Sequence, residues 1–140
     1  MNPLFDNFLI ESGTKDTKHT GRSLYDHLVG TWKLLKEWEC SDYVCTAGLF
    51  HSIYGTPVYK EITIDNRKVI QDLISKPSEN LVYFFSIVEQ PRNVNFVLMS
   101  EPDRSDLLTI SFANDIDQGD DWPQALKSSL HRFLPLLSPT

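Results

Sequence analysis

The sequence predicts an all-α helical bundle with at most one short β-hairpin, and three observations carry that reading. Apolar side chains recur at three- and four-residue steps over residues 23–38. Residues suited to capping helix N-termini open one segment after another. No long stretch alternates strictly between apolar and polar residues, as a half-buried strand would. With 140 residues, 41% of them hydrophobic, the chain suits one domain over 1–140 that buries most of the surface its unfolded form exposes. No repeat, linker or low-complexity tract divides it.

Taken in order, a polar lead-in containing Ser12-Gly13-Thr14-Lys15 precedes a helix from about Ser23 to Trp38, whose inward stripe is Leu24, His27, Leu28, Thr31, Leu34, Leu35 and Trp38. Ser41 or Asp42 caps a second helix with Val44, Ala47, Gly48 and His51 on its stripe, small residues that let a neighbour come close. Gly55, Thr56 and Pro57 end it. Residues 57–65 alternate weakly through Val58, Tyr59, Ile62 and Ile64, the best place for an extended piece. Asp65 or Asn66 caps a helix through Ile74, and Ser78 caps an aromatic-rich one from Glu79 to about Glu89, stopped by Pro91. Asn95 to Met99 reads as a brief strand or buried connector. Ser105 or Asp106 starts a helix carrying Leu107, Leu108, Ile110 and Phe112, and Trp122-Pro123 opens a last one running to Leu137.

Charge narrows the partners. A net charge of −6, with no clustered Lys or Arg, disfavours nucleic acid and anionic membrane surfaces. No apolar run approaches the roughly 20 residues of a membrane span, and the opening Met1-Asn2-Pro3-Leu4-Phe5-Asp6 lacks a signal-peptide pattern, so the expected location is cytoplasmic. Cys40 and Cys45 have neither zinc-knuckle nor redox-pair spacing and read as free thiols. The acidic group Asp115, Asp117, Asp120 and Asp121 lacks the spacing and closing glutamate of a calcium loop and reads as a solvated turn.

The chemistry concentrates at two histidines. His27 and His51 lie at similar distances either side of the turn-like Trp38-Glu39-Cys40-Ser41-Asp42, each on an apolar stripe. If the two helices fold back on each other, the rings reach nearly the same height. A buried imidazole needs partners for both nitrogens. A divalent transition metal (zinc, manganese or iron) would serve both rings at once. The alternative is that each ring bonds separately to a main-chain carbonyl, to Asp26 or to Thr31. His19 could add a third nitrogen, and Arg22 could clamp an anion, unless it pairs with an acid such as Asp26 or Glu89. Tyr54 and Thr56 could orient a ligand or pack the turn, and His131 is expected at the surface.

The run Arg22-Ser23-Leu24-Tyr25-Asp26-His27-Leu28-Val29-Gly30-Thr31, followed by Ala47-Gly48-Leu49-Phe50-His51-Ser52-Ile53-Tyr54-Gly55-Thr56, resembles the first two helices of HD-superfamily metal-dependent phosphohydrolases. The resemblance implies His27 and His51 as metal ligands. Ser52 stands where that superfamily has an aspartate, and the later aspartate finds its best match at Asn114, after Ala113, with Asp115 and Asp117 close by. The chain also resembles the DUF6817 domain family, built around Asp-His-Leu and Gly-Leu-Phe-His-Ser-x-Tyr-Gly-Thr. That second resemblance covers more of the chain and implies a fold but little function.

Three functional readings stand. The leading one is a divergent HD-like, metal-dependent hydrolase of a small anionic substrate. It places His27, His51, His19 and Asn114 around the metal and gives catalytic roles to His51, Arg22 and Tyr54. A second is a catalytically degenerate domain that binds a small molecule or a protein. A third is a metal-free enzyme using His27 and His51 as general acid and base. A homodimer is a compatible assembly for any of them.

Overall fold

Asn2 before Pro3 is a helix-start pair, since the proline lacks only an N–H that the first turn leaves unpaired. Helix α1 accordingly runs Pro3–Glu11, with the Asn2 side chain accepting from the Leu4 amide at 2.9 Å. The computed structural model describes residues 1–88, 92–101 and 103–119. After a 3₁₀ turn at Thr14–Asp16, strands β1 (Lys18–His19) and β2 (Arg22–Ser23) pair antiparallel with His19 opposite Arg22. Thr20 and Gly21, at φ 47° and 84°, make the two-residue turn whose twist suits a hairpin.

Helix α2 (Leu24–Glu37) follows at once, its N-cap Ser23 accepting from the Asp26 amide. Helix α3 (Asp42–Phe50) folds back after the short connection, and a 3₁₀ turn at Ile53–Gly55 follows. Helix α4 (Ile64–Ile74) is capped by Thr63 and leads through Ser75 into α5 (Lys76–Ile87). Helices α6 (Arg92–Val97) and α7 (Asp103–Asp117) complete the described elements.

Helices α2, α3 and α7 pack against one another, and α5 covers α3. Their shared interior holds Leu28, Leu35, Leu49, Phe50, Leu107 and Leu108 at no exposure, each burial worth about 1.5–3 kcal/mol. Gly48 lets this crossing close: a Cβ there would strike the Leu35 side chain and touch Thr31. The all-α class is therefore the observed one, with a short hairpin.

Several element expectations are corrected. The hairpin sits before α2, and 57–65 forms no strand. The lead-in contains α1. The cap of α4 is Thr63 rather than Asp65 or Asn66, because the hydroxyl of Thr63 takes the Asn66 amide. Ser78 caps nothing. It lies inside α5 and donates to the Tyr43 carbonyl at 2.8 Å. The start of α7 is at Asp103, ahead of Ser105 and Asp106, and Asn95 to Val97 belong to helix α6. The expected final helix from Trp122, the stop at Pro91, and Glu89, Asp120, Asp121 and His131 lie outside the described residues. Cys40 and Cys45 are free thiols.

Candidate functional site

The α2–α3 hairpin brings both histidines inside. His27 is wholly buried and His51 nearly so. Their ring centroids lie 5.2 Å apart with planes almost perpendicular. His27 projects from the first turns of α2, and His51 is the C-cap residue of α3, so two short backbone segments set both positions.

Helix α7 supplies their partners from one face, at positions i, i+3 and i+4. Asp117 Oδ2 lies 2.7 Å from His27 Nδ1, and Asn114 Oδ1 lies 2.9 Å from His27 Nε2. Gln118 donates through Nε2 to Asn114 Oδ1 at 3.2 Å and sits 3.1 Å from His19 Nε2. His19 itself stacks flat on His27, centroids 4.2 Å apart. Burial, helped by the neighbouring His27 and Arg22, lowers its pKa.

His51 donates its Nδ1 proton to the Gly48 carbonyl at 2.7 Å. Burial drives its pKa down to about 3, with His27 adding to the effect, while the Gly48 and Asn114 hydrogen bonds pull the other way. The ring is therefore neutral near pH 7 and has one N–H. Its other nitrogen is left to Asn114, the second group bonded to it.

Each histidine has its Nδ1 engaged by an oxygen, Asp117 for one and Gly48 for the other, the usual outer arrangement around a ligating imidazole. Each Nε2 faces Asn114, whose own Oδ1 is an acceptor. Singly protonated rings would each turn an Nε2 lone pair toward the Asn114 side chain, and two imidazole nitrogens beside an amide oxygen are a donor set that a divalent cation accepts. The residues fit such an ion as a two-histidine, one-amide set. Among the described residues no group of three His, Cys, Asp or Glu side chains is arranged to hold one. The three-histidine arrangement is not formed, because His19 lies over the face of His27 instead of pointing beside it.

The remaining candidates are placed as follows. Arg22 Nη2 bonds the Asp117 carboxylate and also its carbonyl oxygen at 2.6 Å, so the acid it meets is Asp117 rather than Asp26. Tyr54 is buried, and its hydroxyl donates to Glu79 Oε2 at 2.7 Å. Burial and that carboxylate raise the phenol well above its ordinary range, so Tyr54 offers the site a ring and no labile proton. Asp26 and Thr31 bond neither imidazole; the Thr31 hydroxyl instead takes the main-chain carbonyl of His27 at 2.9 Å. Thr56 bonds the Ile53 carbonyl within its own turn.

Beside the pair opens a cavity of about 410 Å³. His51, Ser52, Asn114 and Gln118 line it together with Lys60, Phe85, Ser86 and Arg92, and the Phe85 ring stands edge-on to His51 at 5.1 Å between centroids. Asp117, expected only as a possible stand-in for Asn114 and otherwise as part of a solvated acidic turn, has a side chain 11% exposed and holds His27. The signal was available in the spacing, since three residues past Asn114 on a continuing helix lies the same face.

No helix among the described residues is long and apolar enough to cross a membrane. The chain matches none of the curated proteins and none of the solved structures with which it was compared. The family described as a domain of unknown function (DUF6817) matches residues 8–90, more than half of the sequence and the part that carries both buried histidines, and the chain belongs to that family.

Proposed function

We propose that the chain is a divergent HD-like enzyme, a metal-dependent hydrolase of a small anionic substrate in the histidine-centred pocket. The convergence of His27 Nε2 and of His51 on the Asn114 side chain is the observation that supports it. Those three groups would hold a divalent ion, zinc, manganese or iron, which would supply Lewis acidity toward a substrate oxygen. Asp117 orients His27, and the Gly48 carbonyl orients His51. Asn114 and Gln118 present polar atoms to the cavity in which the substrate would sit.

The lowered pKa of His51 speaks against the metal-free reading, because a proton carrier works best with a pKa near the working pH. The same neutral ring suits a ligand. Binding without turnover is the second reading, and Ser52 on the cavity wall favours it, since a hydroxyl there brings no negative charge to steady a cation.

Metal analysis of the purified chain, followed by reconstitution with zinc, manganese or ferrous iron, tests the proposal. One ion per chain, lost in His27→Ala and His51→Ala, is expected, together with metal-dependent cleavage within a panel of small phosphoesters and amides. A chain that takes up none of the three ions above background overturns it. An ion without turnover selects the binding reading.

A further inference from the structure

The cavity beside His51 has a charge unlike that of the molecule around it. The sequence carries 19 Asp and Glu against 13 Lys and Arg, yet no carboxylate is among the described residues that line this cavity, while Lys60 and Arg92 both do. Lys60 stands at the rim, exposed, in the segment between the 3₁₀ turn and α4. Arg92 is the first residue of α6 and is partly buried. Its Nε donates to the Phe85 carbonyl at 3.0 Å and its guanidinium lies over the Phe85 ring, 4.9 Å from the centroid, which fixes where it can reach. Asp115 acts on Arg92 from outside the lining.

Arg22, the cation closest in sequence to the histidines, is committed to Asp117 and does not line the cavity. Within the lining, positive charge comes from Lys60 and Arg92. Hydroxyls of Ser52 and Ser86 and the amide of Gln118 add neutral partners, and Phe85 and Ile62 give an apolar surface for the rest of a molecule. About 410 Å³ is at the small end of the range for ligand pockets.

We propose that Lys60 and Arg92 form the oxyanion-binding wall of the pocket and receive the carboxylate or phosphate head of a small ligand, with Phe85 and Ile62 against its body. The ligand's other end faces His51 and Asn114. This deepens the reading of the pocket as a site for an anionic substrate, but it needs no metal.

The test is titration of the full chain with inorganic phosphate and, separately, with acetate. Both are followed by amide chemical shifts at constant low ionic strength, with chloride as the control. The titrations are run on the chain as purified and again after chelator treatment. Saturable shifts around Ser52, Gly55 and Ser86 that survive the chelator are expected, and the probe that binds more tightly identifies the head group. Arg92→Gln should weaken binding about tenfold, as loss of a charge-assisted contact does. Lys60→Gln should weaken it about threefold, the effect of an exposed charge. Should Arg92→Gln fail to fold, Lys60→Gln, at an exposed position, carries the test alone. Shifts no different from chloride, or unaltered by Lys60→Gln, overturn the proposal. So does binding abolished by the chelator, which would place the anion on a metal. Metal uptake without phosphate or acetate binding would leave the hydrolase reading standing and remove this one.

Discussion

The Asp117 carboxylate stands 2.7 Å from Nδ1 of His27, bridging α7 to α2, and the same carboxylate is gripped by Arg22 from β2. One acid thus locks three elements and decides which nitrogen of His27 carries the proton. Asp117→Asn is expected to lower zinc affinity about 10–100-fold, the effect of losing an outer partner of a ligating histidine. Calorimetric titration against the unaltered chain measures it, and an unchanged affinity would remove Asp117 from that role.

Gly30 makes the approach of Asp117 possible. A Cβ at this α2 position would fall on the Asp117 carboxylate, which Arg22 and His27 hold in place. Gly30→Ala is therefore expected to destabilise by about 1–3 kcal/mol through overpacking, although alanine is the better helix former. In an Asp117→Ala background the clash is gone, and the same change should stabilise by up to about 1 kcal/mol. Urea unfolding of the four proteins in this cycle gives both values.

Glu79 is a wholly buried carboxylate serving three partners. Arg67 reaches it at 2.6 and 2.9 Å, Tyr54 at 2.7 Å and Gln71 at 3.0 Å. Burial alone would raise its pKa, but the bonds from Arg67, Tyr54 and Gln71 outweigh it and hold the group below its ordinary 4.5. A carboxyl depressed in the folded state adds stability above its unfolded pKa and loses that contribution as pH falls through the folded one. Unfolding free energy should accordingly decline as pH drops below about 4.5. Glu79→Gln should flatten that decline, and Glu79→Ala should cost about 3–5 kcal/mol at neutral pH by stranding Arg67. Thermal melts across pH 2 to 7, set as the experimental range, read out both effects.

Ser75 joins α4 to α5 at φ 84° and ψ 158°, a region occupied almost exclusively by glycine. Its amide and carbonyl are both used, by Gln71 and Glu79, so the chain cannot relax without losing them. Ser75→Gly is expected to stabilise by about 1 kcal/mol, and a midpoint in urea that fails to rise would count against strain at this joint.

The parts of the fold legible in the sequence were those with a periodic stripe and a cap. Helix α2 shows both, and its observed ends fall within a residue of those read from the stripe. The hairpin escaped because two-residue strands carry no alternation, leaving only Thr20-Gly21 as a turn signal. Helix α1 was signalled by Asn2-Pro3, but few of its residues are buried, so its stripe is faint. At the site, the matched spacing of His27 and His51 about one turn was enough to bring the rings together. Asp117 was legible only as sharing a helix face with Asn114, and Arg92 not at all, since their roles depend on which way α6 and α7 approach the hairpin, and tertiary packing sets that direction.

Helix α7 lies beyond residues 8–90, so the segment that defines the family encodes the two imidazoles and the Gly48 carbonyl that serves His51, while a later stretch encodes the partners of both His27 nitrogens. Folding must therefore wait for the distal third of the chain before its polar centre is satisfied. A product released ahead of Asp103 would leave both nitrogens of His27 without their α7 partners, which makes that helix a precondition for closing this centre.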